Sequence, residues 1–113
     1  MTTLSVTPTE EGTYVIGFSI TDENGDATVP TALTWTLMGR DESIINDRDR
    51  EAISPLVASG SVVLSGDDLS ITNGETVRYF LLEGAYDSTL GSDLPIKEAA
   101  TFEIENLPGV PHA

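Results

Sequence analysis

The chain has 113 residues, no cysteine, and 5 basic against 19 acidic residues, for a formal net charge of -14. That length holds one hydrophobic core and one domain. The missing cysteines exclude a disulfide framework, a thiolate metal site and a cysteine nucleophile, and fit assembly in a reducing cytoplasm, while the charge repels nucleic-acid phosphates and anionic lipid headgroups.

No stretch is apolar for long enough to cross a bilayer, and the opening Met-Thr-Thr-Leu-Ser lacks the basic-then-apolar order of a signal peptide. A soluble, unprocessed chain is the expectation. The acidic residues are scattered between strand-like apolar runs, which argues against disorder. A negative surface serves solubility, and it also suits docking onto a basic partner.

Thr3 to Thr7 alternates weakly and ends at Pro8, the pattern of a short edge strand. After a turn at Glu10-Glu11-Gly12, residues Tyr14, Ile16, Phe18 and Ile20 form one apolar face over four successive alternations, so a strand is expected. Asp22-Glu23-Asn24-Gly25-Asp26 is a turn, because asparagine and glycine tolerate positive φ. From Leu33 to Leu37 apolar residues alternate with threonine around Trp35, the single tryptophan, and this predicts the central core strand.

Arg40 to Glu51 is polar and contains Arg40, Arg48 and Arg50, three of the five basic residues. Ser43-Ile44-Ile45 and Ala52-Ile53 are candidate short edge strands within it, and a mobile loop is the alternative. A β-branched run from Ser61 to Leu64 is expected as a strand. Ser65 to Leu69 reads as a single capped turn, with Leu69 plugging the underside of the core, and Asn73-Gly74 as a further turn.

Thr76 to Glu83 carries apolar bulk on both faces, with Val77, Tyr79 and Leu81 expected inward and Arg78, Phe80 and Leu82 outward. Gly84 to Pro95 reads as a loop. A last strand places Ile96, Glu98, Ala100, Phe102 and Ile104 on one face, and Leu107 to Pro111 is an extended, non-helical tail. The expectation is an all-β, antiparallel Greek-key sandwich of about seven strands over residues 1–106, with a tail over 107–113.

The Asp-x-Asn-Gly turn at 22–25, the Pro-Thr-Ala-Leu-Thr-Trp-Thr-Leu strand at 30–37 and the Leu-Ser-Gly-Asp-Asp-Leu corner at 64–69 resemble immunoglobulin-like and fibronectin type III-like domains. They are most similar to the small domains of that kind among bacteriophage virion structural proteins. The immunoglobulin cysteine pair is missing, and Val77 stands where a tyrosine corner would fall three residues after Gly74. The resemblance implies a non-catalytic assembly role in the virion as head decoration, cement, or a tail or connector accessory. Its implied partners are capsid or tail subunits, engaged in many copies.

The candidate chemical constellations have simpler explanations. Asp22, Asn24 and Asp26 have an alternate spacing suited to calcium, yet Gly25 comes fourth and Leu33 twelfth, so the EF-hand pattern fails and a turn accounts for them. Asp67-Asp68 and Asp87 with Asp93 read as capping and solvating loop residues. His112, the single histidine, lies beyond two prolines near the chain end, and no phosphate-binding glycine loop is present. No catalytic residue, metal ligand or cofactor site is therefore expected. Asp and Glu residues neutralise the arginine group, which disfavours nucleic acid but leaves Arg40, Arg48 and Arg50 as a polar dock, with Phe80 and Leu82 as an apolar one. The alternative function is a carbohydrate or cell-surface binding module.

Overall fold

A computed structural model describes residues 2–4, 7–71 and 74–105. Seven strands are formed there: β1 Thr2–Thr3, β2 Thr13–Ser19, β3 Ala32–Gly39, β4 Glu51–Ala52, β5 Ser59–Ser65, β6 Val77–Ser88 and β7 Gly91–Glu103. They build a five-stranded sheet in the order β1-β7-β6-β3-β4 and a two-stranded sheet of β2 and β5. Having the third, sixth and seventh strands in one sheet and the second and fifth in the other is the partition of an immunoglobulin-like Greek-key sandwich. All pairings are antiparallel except that of β1, which runs parallel to β7 with Thr2 opposite Ala100. The expected Thr3–Thr7 strand is thus shorter and shifted, with Ser5 and Val6 outside the described residues. So are Asn73 of the predicted turn, the Leu107–Pro111 tail and His112.

The core follows from the alternation. In β2 the buried residues are Tyr14 and Ile16, opposite Leu64 and Val62 of β5, while Phe18 packs half-buried beside them. From the other sheet come Leu33, Trp35 and Leu37 of β3, and Ile96 and Phe102 of β7, followed by Ile104. Tyr14 meets Phe102 across the two layers at 5.1 Å between ring centroids, and within the five-stranded sheet Trp35 stacks on Phe80 at 5.7 Å. After β5 the chain makes a 3-10 turn over Gly66–Leu69, and Leu69 is fully buried beneath the sandwich as expected.

The central strand β6 faces the opposite way from the expectation. Phe80 pairs with Leu37 and Leu82 with Trp35, so both belong to the core, at 4% exposure each. Val77, Tyr79 and Leu81 lie half-buried on the outer face. Arg78 obscured this in the sequence, because a charged residue on the Phe80 face argues for solvent. In fact Arg78 is buried, and its guanidinium donates to the carbonyls of Val77 at 2.8 Å and Ser70 at 2.9 Å. Its long stem reaches the floor of the sandwich, where backbone acceptors replace water.

Gly84 to Pro95 is not a loop. The β6–β7 ladder continues through Gly84↔Ile96, Ala85↔Pro95 and Tyr86↔Leu94, then shifts register before closing at Ser88↔Gly91. The resulting hairpin is about 40 Å long at ~3.3 Å per residue and outruns β3, which stops pairing at Ala85. Its Tyr86 hydroxyl donates to Glu23 at 3.1 Å, tying the arm to the 22–26 turn. Proline is tolerated in this strand for a geometric reason. The carbonyl of Ala85 points toward β3, where it accepts from the Thr31 N–H, so the facing nitrogen of Pro95 points to the outer edge and breaks no ladder bond. Gly84 is required by close approach: a Cβ there would sit 2.1 Å from the carbonyl oxygen of Ala32.

Within residues 40–53 the expected Ala52-Ile53 edge strand forms one residue earlier, as β4, whereas Ser43–Ile45 makes only a bridge and the rest is not a detached loop. These residues run along the open edge of β3, with a bridge between Met38 and Ile44 and hydrogen bonds from Ile45 N–H to the Leu37 carbonyl and from Leu37 N–H to the Arg48 carbonyl, each 2.9 Å. Positive φ at Glu42, Asn46, Asp47 and Arg50 lets so short a segment follow that edge.

The inverted face of β6 can be measured. Phe80→Ala and Trp35→Ala should each cost about 3–5 kcal/mol in urea unfolding, as buried aromatics do. Tyr79→Ala and Leu81→Ala should each cost about 1 kcal/mol, nearer the typical point substitution. Equal losses at Phe80 and Tyr79 would contradict the assignment of faces.

Candidate docking surface

The polar segment after β3 is fastened by Arg48. Its Nε donates to Asp68 Oδ1 at 2.8 Å, its Nη1 lies 3.6 Å from Glu51, and its guanidinium sits 5.6 Å over the Trp35 ring. Asp68 is almost wholly buried in the 3-10 turn, and it also accepts from Asn46 Nδ2 at 2.9 Å and from the Ser65 N–H at 3.2 Å. Burial alone would push the Asp68 carboxyl up. The hydrogen bonds from Arg48, Asn46 and Ser65 outweigh it and hold the carboxyl below the usual carboxylate range. The same hydrogen bond to Asp68 raises the pKa of Arg48 further.

The opposite surface of the five-stranded sheet is apolar in its middle. Met38 lies opposite Tyr79, Thr36 opposite Leu81, and Leu81 opposite Ala99, so these side chains share the outer face. Met38, Tyr79, Leu81 and Ala99 floor a shallow groove of about 340 Å³ whose rim carries Arg40, Asp41 and Glu42. The rim is a built turn. Asp41 accepts from the Ser43 hydroxyl at 2.6 Å and from its N–H at 3.1 Å, and these bonds hold the Asp41 carboxyl low. The backbone N–H of Arg40 donates to the Glu75 carboxylate.

The five residues proposed as a dock therefore separate. Phe80 and Leu82 are core residues on the inner face of β6 and are not part of this outer surface. Arg48 is held in the Asp68 and Glu51 ion pairs, so it is a structural fastening rather than a free cation. Arg50 is exposed, and its N–H donates to the Thr36 hydroxyl at 3.1 Å. Arg40 is exposed and borders the groove. Tyr79, Leu81 and Met38 were missed. The available signal was Glu83, which shares the Tyr79 and Leu81 face of β6 and, half-buried, stands opposite exposed Lys97, a charged pairing that marks the solvent side.

The 22–26 segment is a closed turn: the Asp22 carboxylate accepts from the N–H groups of Asn24 at 2.9 Å and Asp26 at 3.0 Å, and Gly25 adopts φ +81°. Asp22 Oδ1 thus serves the turn's own backbone, while Glu23 serves the hairpin arm. Comparison of the chain with family models, with curated proteins and with solved structures finds no match.

Asp68→Ala should cost about 2–3 kcal/mol at pH 7. That is less than the ~3–5 kcal/mol of a fully buried pair, because half-exposed Arg48 regains water. The folded carboxyl binds its proton more weakly than the unfolded one. Its contribution is therefore complete above the unfolded value of about 3.9 and is lost as pH falls through the lower folded value. Urea unfolding of parent and variant should differ at pH 7 and converge toward pH 3. A difference independent of pH would show that the carboxylate charge contributes nothing.

Proposed function

We propose that the chain is a non-catalytic interaction module of a virion, docking in many copies on capsid or tail subunits through the outer face of its five-stranded sheet. The observation that carries the docking reading is the groove of Met38, Tyr79, Leu81 and Ala99 on a central sheet face, bordered by exposed Arg40. A contiguous apolar patch with a polar rim is the anatomy of a protein contact. Net charge of -14 makes identical copies repel at long range, so the neighbour is a neutral or basic protein, and nucleic acid and membrane are poor partners. The virion setting and location rest on the resemblance of the turn, the tryptophan strand and the 64–69 corner to phage structural domains.

Glycan binding is the weaker reading, since Trp35, Tyr14, Phe80 and Phe102 are all committed to the core and little aromatic surface remains for sugar stacking. Mass spectrometry of purified particles from the virus whose genome carries this gene should find the chain in stoichiometric amount. Tyr79→Asp and Leu81→Asp should each abolish incorporation while preserving the fold by circular dichroism. Absence of the parent chain from particles would overturn the virion reading, and normal incorporation of both variants would overturn the docking face.

A further inference from the structure

The two-stranded sheet has an edge that no strand among the described residues covers. Strand β2 pairs with β5 alone. Gly66 N–H donates to the Gly12 carbonyl and Ile20 N–H to the Ala58 carbonyl, so the even-numbered residues from 12 to 20 bond toward β5. In an antiparallel ladder the alternate residues point the other way. Thr13, Val15, Gly17 and Ser19 therefore aim their N–H and C=O groups at the open side, and no strand among the described residues pairs with them. The chain before β2 runs elsewhere. The Leu4 N–H donates to the Thr101 carbonyl, and the Glu10 N–H to the carbonyl of Glu105, which places both along β7 of the other sheet and its continuation.

A second observation lies beside that edge. Between β2 and β7 the sandwich opens into a cleft of about 230 Å³. Ile16, Phe18, Phe80, Leu82 and Ala100 make it apolar, and Glu98, on the inward face of β7, stands exposed in its wall. On the outer face of the two-stranded sheet, Val15 of β2 and Val63 of β5 are directly opposed and both more than half exposed.

Natural sheets blunt their edges with charge or proline. The outer edge of β7 carries Pro95 and Lys97, whereas β2 (Thr-Tyr-Val-Ile-Gly-Phe-Ser) has neither, in a chain whose residues are 21% charged. The other edge of this sheet is less available: on β5 the Ser65 N–H is already taken by Asp68.

We propose that β2 is a strand-acceptor site, taking up an extended segment of a partner protein with apolar residues at alternate positions and a net positive charge. Backbone hydrogen bonds to Thr13, Val15, Gly17 and Ser19 anchor the segment. Its inward side chains enter the cleft against Ile16, Phe18 and Leu82, and the outward ones extend the Val15–Val63 surface. The positive charge follows from Glu98 in the cleft wall and from the -14 of the whole chain. This site is separate from the groove under Tyr79 and stands whether or not that groove docks anything.

The test uses the full chain and a capped synthetic peptide of sequence Lys-Val-Thr-Val-Lys-Val-Thr-Val-Lys. Amide hydrogen exchange followed by NMR should show Thr13, Val15, Gly17 and Ser19 exchanging fast in the free monomer and slowing on peptide addition. A peptide with glutamate at the lysine positions should bind at least about tenfold more weakly. Gly17→Pro removes an N–H that faces away from β5, at a position with open space around its Cβ, so the β2–β5 ladder persists while peptide affinity falls about tenfold or more. Should that variant not fold, the exchange pattern of the parent decides alone. The proposal is overturned if the basic peptide does not bind, or if new protection falls on β5 or β7. It is equally overturned if the four amides are already protected in the free monomer, where a segment of the same chain holds the edge, or become protected with rising protein concentration, where a second copy does.

Discussion

Everything in the five-stranded sheet depends on the register between β3 and β6. Trp35 stands opposite Leu82 and Leu37 opposite Phe80, and because side chains alternate with a period of two, this pairing sends Met38, Tyr79 and Leu81 outward at the same stroke. A slip of one residue would bury the outer set and expose the stacked Trp35–Phe80 pair. The register is held at several points. The ladder runs without a break from Ala32↔Ala85 to Gly39↔Arg78, and the approach of β3 to Gly84 leaves no room for a side chain at that position. Core and groove are two faces of one constraint.

The polar interactions secure the same arrangement from below. Arg48 lies over Trp35 while its guanidinium holds Asp68, so one side chain ties the edge segment after β3 to the turn after β5. Arg78 does a related job from β6, bonding to the Ser70 carbonyl just beyond that turn. Burial lowers the pKa of Arg78, opposed by the nearby carboxylates of Glu75 and Asp41. Two of the chain's few cations are thus spent inside the fold. The acidic surface is therefore a consequence of structure as well as of composition, with little positive charge left to oppose it.

How much of this was readable depended on whether one face of a segment was plainly apolar. The β2 and β3 strands, Trp35, the Leu69 plug and the sandwich architecture were legible because polar and apolar residues alternate there without conflict. In the first half of β6, Val77 to Glu83, both faces are apolar, and a single charge on each, Arg78 against Glu83, argues in opposite directions. Only the three-dimensional reach of Arg78 decides between them. The hairpin arm was hidden for another reason. Glycine, serine, aspartate and proline are loop signals, yet Gly84 is there for close approach and Pro95 lies where no ladder bond is needed, so residues that usually end a strand are accommodated within one.

Edge chemistry then separates the two sheets by what they can accept. Along β3 the open edge is covered by residues 40–53, whose backbone bonds to Leu37 and Leu33 use up its donors and acceptors. Along β7 the edge is shared between β1 and the stretch bearing Pro95 and Lys97. Covering or interrupting an edge suppresses indiscriminate strand pairing, which exposed ladders would otherwise invite. Among the described residues, β2 combines an unpaired edge with a cleft that opens into the core. A -14 chain is protected from pairing that edge with its own copies by long-range repulsion, and an oppositely charged segment is not so deterred. Charge thus selects at the point where the backbone, common to all proteins, cannot.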